Sequence, residues 1–179
     1  NVTKDVTDSQ IFDISVTSEH GSVASTDNKN EGIAGESISF TIKPEENYRL
    51  ANVSINNGSV TYATQDNAYS FTMPAGDVEI TVTYNQEYVI TIDTNSSEYI
   101  QIEKQKAIEG EQVEFTVLER DGYRIDEVKY NDTTLQSENN TYLFNMLAGD
   151  VTIVVTYIQQ FEVILQSDME NADLSGADT

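Results

Sequence analysis

The chain has 179 residues and no cysteine, and its 31 acidic against 9 basic side chains give a formal net charge of −22 at pH 7. Disulfides and sulfur-ligated zinc are excluded, and nucleic acids and anionic membranes are unfavourable partners, because phosphate binding needs a cationic face. The 38% of hydrophobic residues is enough for folded cores, but no apolar run reaches membrane-spanning length. This composition favours an exported bacterial protein whose carboxylates keep it soluble.

The first predicted elements are short strands with alternating side chains. From Phe12 onward, apolar residues occupy every second position, which predicts a half-buried strand, and a short strand around Val23 follows. Residues 27–32 have the composition of a loop. Gly35-Glu36 then opens another strand. The alternating apolar residues of that strand are Ile38, Phe40 and Ile42.

The next predicted strand changes its pattern half-way. Its apolar residues change parity between Leu50 and Val53, which predicts a β-bulge near Ala51-Asn52. Asn57-Gly58 follows, and this dipeptide is predicted to form a hairpin turn because both residues tolerate positive φ.

The closing part of this pattern occurs twice. The stretch Phe71–Tyr84 returns as Phe144–Tyr157, 73 residues later, with ten of its fourteen positions identical. The parity change also recurs, between Ile125 and Val128. Self-similarity at a fixed spacing predicts a tandem array of small units.

The repeat divides the chain into four parts. Residues 11–86 form the predicted unit 1 and residues 87–159 the predicted unit 2. Residues 1–10 are interpreted as a leader or as the end of a preceding unit, and residues 160–179 as the opening of a third unit. The segment Ala172–Asp178 also resembles two steps of a pentapeptide repeat, which is an alternative interpretation of that end.

The predicted fold is all-β, with each unit a small antiparallel β-sandwich, because β-branched residues dominate the apolar positions and turn signals separate short strands. An Ig-like sandwich and a β-grasp-like unit, with one short helix after the second strand, remain open. The linkers 85–87 and 158–160 are three residues long and contain no glycine. Adjacent units should therefore lie end to end with limited swing.

Eight residues define the repeated structural motif. Asp77 and Asp150 are its best-defined acidic pair, and each is predicted to accept backbone N–H groups in its turn. Calcium bound between units is a weaker alternative for these two residues, since oxygen-rich loops supply its ligands. The motif residues are Gly35, Gly76, Asp77 and Tyr84 in unit 1, and Gly110, Gly149, Asp150 and Tyr157 in unit 2.

Each unit thus combines Gly-Glu before a strand, Tyr-x-Phe-x-Met, Ala-Gly-Asp-Val and Thr-Tyr. Over about residues 11–157 this set resembles the divergent internalin-type B-repeat family, which is found in tandem in bacterial surface and secreted proteins. The sequence departs from the family pattern at two places. Unit 1 has Glu46-Asn47 where Gly-Tyr would be usual, and unit 2 has Leu147 at the position that Pro74 occupies in unit 1. The resemblance implies an all-β or β-grasp-like repeat that serves as a stalk or spacer and carries no catalytic residues.

Few residues suggest chemistry. His20 is the only histidine, its region in the second copy has none, and it is interpreted as a loop residue rather than a general base or metal ligand. The ten tyrosines are interpreted mainly as core residues, although they could form a sugar-binding platform. An isopeptide cross-link at Lys43 is disfavoured, because the second copy has no lysine there.

The sequence therefore predicts a non-enzymatic spacer at the bacterial cell surface or in a secreted protein, without catalytic residues or cofactors. Its predicted partners are neighbouring units of the same chain, with no nucleic acid and no membrane insertion. The alternative is an adhesin-type module for a host glycan or protein. Aromatic side chains exposed in one copy only would favour the adhesin, and Tyr62 and Tyr99 are the residues that distinguish the two hypotheses.

Overall fold

The computed structural model describes residues 10–59, 61–63 and 68–161, without the side chains of residues 62 and 63. Unit 1 contains β1 (Ile11–Ser18), β2 (Gly21–Ser25), β3 (Glu31–Ile33), β4 (Ser37–Pro44), β5 (Tyr48–Ile55), β6 (Thr61–Ala63), β7 (Ala68–Thr72) and β8 (Val78–Ile92). Unit 2 continues with a 3-10 helix (Ser97–Tyr99), β9 (Ile100–Ile102), β10 (Lys106–Ile108), β11 (Gln112–Val117), β12 (Tyr123–Tyr130), β13 (Thr133–Thr134), β14 (Ser137–Glu138), β15 (Thr141–Asn145) and β16 (Val151–Gln159). The predicted leader, most of the third unit and the pentapeptide-like segment lie outside the described residues.

Strand β8 belongs to both units. Its first half pairs with β1 and β5, and its second half pairs with β10 and β16. The predicted linker lies inside this strand: Gln86 pairs with Tyr48 of unit 1, and the next residue, Glu87, pairs with Ile108 of unit 2. At ~3.3 Å per residue, a strand of 15 residues is about 45–50 Å long. The division of the chain at residue 87 stays a prediction, since no break in the strand marks it.

Each unit is a sandwich of two sheets, so the predicted all-β sandwich is confirmed. In unit 1, the order β3-β1-β8-β5 forms one sheet and β2-β4-β7-β6 forms the other. Unit 2 repeats this arrangement with β10-β8-β16-β12-β13 and β9-β11-β15-β14. Because β8 is common to both first sheets, these merge into one eight-stranded sheet that we call the shared sheet.

The shared sheet is mixed, whereas an antiparallel sandwich was expected. The first strand of each unit runs parallel to its last strand: β1 with β8, and β8 with β16. An antiparallel last strand would return the chain to the end where it entered. The parallel pair instead lets the chain leave each unit in the direction in which it entered, so that the last strand of unit 1 can continue as the first strand of unit 2.

Each core lies between its two sheets and follows the period of two along the strands. Phe40 and Phe115 occupy equivalent central positions and are each 1% exposed. Two aromatic rings of unit 2 pack on Phe115, with centroids 5.3 Å away for Tyr142 and 6.3 Å for Phe144. The buried residues are Ile38, Phe40, Phe71, Met73, Val78, Ile80 and Val82 in unit 1, and Ile90, Ile100, Ala107, Val113, Phe115, Val117, Val128, Tyr142, Phe144, Met146, Val151, Ile153 and Val155 in unit 2.

The predicted bulge is confirmed in both units. The register of β5 against β8 shifts between Leu50 and Asn52, and that of β12 against β16 shifts between Ile125 and Glu127. Leu50 and Val53 are three positions apart, so in a regular strand their side chains would lie on opposite faces. The extra residue of the bulge reverses this alternation, and both side chains pack against the core.

Two local predictions were wrong, and a third feature differs from one of the alternatives that the sequence left open. Asn57-Gly58 connects β5, in the shared sheet, to β6, in the other sheet, so this turn crosses between sheets and does not close a hairpin. The predicted loop at 27–32 contains the start of β3, because Glu31 and Gly32 pair with β1. In the described residues the helical segment Ser97–Tyr99 precedes the second strand of unit 2, whereas the β-grasp alternative placed a helix after it.

The apparent departure at Glu46-Asn47 results from an alignment that is shifted by one residue. Tyr48 pairs with Gln86 as Tyr123 pairs with Gln159, so Asn47 corresponds to Gly122. Asn47 has φ of 64° and Gly122 has φ of 73°. Asparagine tolerates this left-handed conformation better than other residues with a Cβ, so it can replace glycine here.

We expect Phe115→Ala to lower the free energy of unfolding of unit 2 by about 3–5 kcal/mol, because it removes a buried ring and leaves a cavity. Urea unfolding followed by circular dichroism measures this loss. Leu143→Ala is the control: Leu143 lies on the neighbouring strand β15 and is 46% exposed. Its substitution should change stability by less than about 0.5 kcal/mol. Equal losses in the two variants would contradict the assignment of the core.

Candidate functional site

The contact between the two units is centred on Arg49. This residue lies on β5 opposite Asn85 of β8. Its Nε donates to Oε1 of Glu87 at 2.9 Å, and one terminal nitrogen lies 2.8 Å from the same oxygen. The other terminal nitrogen lies 3.0 Å from Oε2 of Glu111 in unit 2. One guanidinium therefore joins the shared strand to both sandwiches.

Glu111 is the most strongly perturbed carboxyl at this contact. Lys104 Nζ donates to its Oε1 at 2.7 Å, and the Ile108 N–H donates to its Oε2 at 3.2 Å. The hydrogen bond from Lys104, that from Ile108 and the charge of Arg49 lower the pKa of Glu111 to about 2. The side chain is 20% exposed. Its negative charge is thus present throughout the neutral range.

A second pair of contacts lies beside this ion pair. Lys106 Nζ donates to Oδ1 of Asn47 at 2.8 Å, and the Glu87 N–H donates to the carbonyl of Asn47 at 2.8 Å. The turn before β5 therefore contacts the strands β8 and β10 that open unit 2. We define the inter-repeat junction as the six residues Asn47, Arg49, Glu87, Lys104, Lys106 and Glu111.

The Gly-Glu motif builds the unit 2 side of the junction. Gly110 adopts φ of +79°, a left-handed conformation that favours glycine. Its N–H donates to the carbonyl of Met146 at 2.9 Å, and the Met146 N–H donates back to the carbonyl of Glu111 at 2.9 Å. In unit 1 the Gly35 N–H donates to the carbonyl of Met73, and the Met73 N–H donates to the carbonyl of Glu36, both at 2.8 Å. Two sequence motifs that lie far apart in the chain therefore hold each other in place.

Glu36 is the counterpart of Glu111 in unit 1. It forms an ion pair with Lys29 and accepts a hydrogen bond from the Ile33 N–H at 3.2 Å. These contacts lower its pKa, with the Lys29 hydrogen bond as the largest cause. No arginine contacts Glu36 within the part of the chain that the structure describes. The Gly-Glu turn of unit 1 thus makes contacts within its own unit, whereas the Gly-Glu turn of unit 2 also contacts the neighbouring unit.

Asp77 and Asp150 fasten the first strand of a unit to its last. Asp77 Oδ1 accepts the Asp13 N–H at 3.0 Å, and Asp150 Oδ1 accepts the Val89 N–H at 2.8 Å. These donors lie on the first strands and not, as predicted, in the turns of the aspartates themselves. Among the described residues no group of three or more His, Cys, Asp or Glu side chains could hold a metal ion. Calcium at these two aspartates stays a hypothesis.

The two closing tyrosines differ in their surroundings. Tyr84 shares a hydrogen bond of 2.9 Å with Ser18, and Gly21 lies so close to its hydroxyl that any side chain at position 21 would collide with it. The Tyr157 hydroxyl is buried and has no hydrogen-bond partner in the described part of unit 2. Burial raises the pKa of Tyr157.

A cationic and aromatic cluster surrounds Tyr157. The guanidinium carbon of Arg120 lies 4.2 Å from the ring centroid of Tyr123, 5.4 Å from that of Tyr99 and 5.6 Å from that of Tyr157. Such contacts stabilise a cation over an aromatic face. An open cavity of about 870 Å³ lies alongside, lined by residues of β12 and of the turns around it. This cluster occupies the end of unit 2 that is remote from unit 1.

The described residues of unit 1 do not form this cluster. The strand registers place Ser22 and Glu45 at the positions of Tyr99 and Arg120. His20 stacks on Tyr48 instead, with centroids 4.0 Å apart, and its Nδ1 lies 3.8 Å from Glu45. The histidine lies in the bend between β1 and β2, in agreement with its interpretation as a loop residue.

Comparison with family models decides the identity of the repeat. A model of the divergent InlB B-repeat domain matches residues 12–87 and again residues 88–160. The chain belongs to the divergent InlB B-repeat family. Comparisons with curated proteins and with solved structures gave no match. The two B-repeats fit a structural segment of a bacterial surface protein, and the family points to an extracellular or surface location. The described residues contain no helix long and apolar enough to cross a membrane.

The residues that join the B-repeats were not found from the sequence. Gly110 was singled out as a motif residue, but Arg49, Glu87 and Lys106 were not. One signal was present, because two of the three arginines in the chain, Arg49 and Arg124, occupy the same position in the two B-repeats. In a chain with so few cations, a repeated arginine indicates a repeated contact.

The lowered pKa of Glu111 leads to a prediction for the pH dependence of stability. A carboxyl with a folded-state pKa of about 2 and an ordinary pKa of 4.5 stabilises the fold above pH 4.5. This contribution is lost as the pH falls from 4.5 towards 2. We expect Glu111→Gln to lower the free energy of unfolding at pH 7 by about 1 kcal/mol, and to flatten its decline across that pH window. Urea unfolding at a series of pH values measures both effects.

The matched control for this prediction is Glu36→Gln. It removes the same carboxyl from the same turn, but from a site that no arginine contacts among the described residues. It should cost less stability at pH 7 than Glu111→Gln. If the two variants behaved alike at every pH, Arg49 would have no energetic role at the junction.

Proposed function

We propose that the chain is a non-enzymatic spacer of a bacterial cell-surface or secreted protein, which holds a distal domain away from the cell. The observation that supports this most directly is the strand β8, which is the last strand of one B-repeat and the first strand of the next. A spacer has to keep the direction of the chain from one unit to the next, and a shared strand does this with backbone hydrogen bonds.

The junction resists bending for two reasons. A bend at Gln86 would separate β8 from Tyr48 on one side and from Ile108 on the other, and each net hydrogen bond contributes about 0.5–1.5 kcal/mol. Rotation of one unit against the other would also pull Arg49 away from Glu111. Exposed ion pairs contribute little energy, about 0.2–1 kcal/mol each. However, the Arg49 guanidinium binds two carboxylates at once, and this favours a single orientation of the two units.

The repeated polar side chains also fit a structural role. Asp77 and Asp150 each hold a backbone N–H, and so do Asn56 and Asn131, which accept the N–H groups of Glu79 and Thr152 at 3.0 and 2.8 Å. Side chains that recur in both B-repeats therefore fasten neighbouring strands to each other. This use of the polar groups supports a mechanical function over a catalytic one.

The spacer hypothesis predicts a fixed distance between the two units. Because the chain has no cysteine, spin labels can be attached at Lys43→Cys and Glu114→Cys, which are exposed positions on β4 and β11. We expect a narrow distance distribution by pulsed electron paramagnetic resonance. Two glycines inserted between Gln86 and Glu87 should widen it at least twofold, because they interrupt β8.

The control for this experiment is the same insertion after Asn28, in the loop between β2 and β3. It lengthens the chain equally but leaves β8 unbroken, so the distribution should stay narrow. Small-angle X-ray scattering should also show an elongated particle. A broad distribution in the uninterrupted chain, or a compact scattering profile, would contradict the spacer hypothesis.

An adhesin-type module is the second candidate, and the cluster around Arg120 favours it. Among the described residues the cluster occurs in unit 2 and not in unit 1, and it borders the open cavity of about 870 Å³. Tyr99 contributes an aromatic ring where unit 1 has Ser22. A cavity with tyrosine rings and a cation on its wall suits a carbohydrate, whose apolar face stacks on rings while its hydroxyl groups bind polar side chains.

If this second function is correct, the chain should bind a subset of host glycans on an array. Arg120→Ala should reduce that binding at least tenfold, because the cluster loses its central cation. Lys43→Ala, which removes an exposed cation from unit 1, should leave binding unchanged. Absence of any glycan binding, or binding that survives Arg120→Ala, would rule out this site as a carbohydrate-binding surface.

A further inference from the structure

We infer that the remote end of unit 2 is one half of a second junction, and that its partner is a further B-repeat with a Gly-Glu turn. This inference rests on the proposed spacer function and names the residues that would continue the array. The partner is identified by chemistry: a glutamate after a left-handed glycine, with a lysine seven residues before it, as in Lys104 and Glu111.

The backbone at this end repeats the unit 1 side of the inter-repeat junction. Arg124 lies on β12 opposite Ile158 of β16, as Arg49 lies on β5 opposite Asn85 of β8. The Gln160 N–H donates to the carbonyl of Gly122 at 2.8 Å. The corresponding bond at the existing junction, from Glu87 to Asn47, has the same length. The strand and turn that hold the arginine are therefore already formed.

Arg124 differs from Arg49 in having no counter-charge among the described residues. Its side chain is exposed, and its guanidinium forms no hydrogen bond or ion pair with any residue that the structure describes. The position of Glu87, whose carboxylate binds Arg49, is taken by the neutral Gln160. Within the part of the chain that the structure describes, no carboxylate binds this arginine, although 31 of the 179 residues are acidic and only 9 are basic. Its guanidinium is therefore the group that a carboxylate of a further unit would bind.

Phe161, the last residue that the structure describes, extends the comparison between the two ends. It follows Gln160 as Tyr88 follows Glu87, and the Tyr88 ring packs against the core of unit 2. Phe161 is 78% exposed, the highest value among the large apolar side chains of the described residues. A further B-repeat would cover this ring by the packing that already covers Tyr88.

The opposite end of the segment carries the complementary half. Glu36 and Lys29 form the same Gly-Glu arrangement as Glu111 and Lys104, and no arginine contacts Glu36 among the described residues. The two-unit segment thus presents an arginine at one end and a glutamate at the other. Units joined by these two ends stack head to tail in one direction, as unit 1 and unit 2 do.

The test is a full chain in which residues 88–160 are duplicated directly after Gln160, so that a third B-repeat follows unit 2. A double-mutant cycle combines Arg124→Gln with Glu→Gln at the duplicated copy of Glu111. We expect a coupling of about 1.5- to 5-fold in the unfolding equilibrium constant, the range of exposed ion pairs. The cycle between Arg49 and the original Glu111 in the same chain is the positive control.

A second measurement uses the pKa of the duplicated glutamate, followed by NMR titration. It should lie below that of Glu36 and rise when Arg124 is replaced by Gln. In the 179-residue chain without the duplication, Arg124→Gln should leave the urea midpoint nearly unchanged, whereas Arg49→Gln should lower it. Coupling at Arg49 without coupling or a pKa change at Arg124 would overturn the inference.

The failure of this inference can be distinguished from failure of the spacer function. Small-angle scattering of the lengthened chain reports whether the particle grows in length by the size of one unit. A longer rod without coupling at Arg124 would reject the second junction but keep the spacer. A compact particle that keeps the coupling at Arg49 would reject the spacer while the existing junction remains.

Discussion

The structure depends on one constraint, which is that β8 completes the hydrogen-bond ladders of two sandwiches. Its first half is held between β1 and β5 and its second half between β10 and β16. Units of about 73 residues bury only about 60% of the surface that their unfolded chains expose, so each is of marginal stability alone. Loss of one unit would leave half of this strand without partners. The shared strand therefore couples the folding of the two units as well as their orientation.

The repeated motifs act on this strand and on its equivalents. Asp150 accepts the Val89 N–H, and thereby ties the start of the last strand of unit 2, β16, to the strand that opens the unit, β8. The glutamates of the two Gly-Glu turns show how position in the array changes the use of a residue. Glu36 and Glu111 make the same local contacts, but only Glu111 has an arginine within reach among the described residues. A motif that shapes one unit can thus also specify its neighbour.

Features with a short period along the chain could be predicted, and contacts between distant segments could not. The parity change after Leu50 is local, so the bulge was predicted correctly. Asn57-Gly58 shows the limit of local signals, because the φ preferences that suit a hairpin also suit a turn between sheets. The ion pair of Arg49 with Glu111 joins residues that lie far apart in the chain, and no sequence pattern links their positions. Only the recurrence of the arginine at position 124 indicated it.

The charge of the chain explains why the junction carries cations. At −22, neighbouring units repel one another, and this repulsion is strongest where their surfaces meet. Arg49, Lys104 and Lys106 place three of the nine basic residues at that contact, each beside a carboxylate or an amide oxygen. Exposed pairs of this kind contribute more to orientation than to affinity. The acidic surface thus disfavours contacts between units in most orientations, and the cations allow the one in which the shared strand remains continuous.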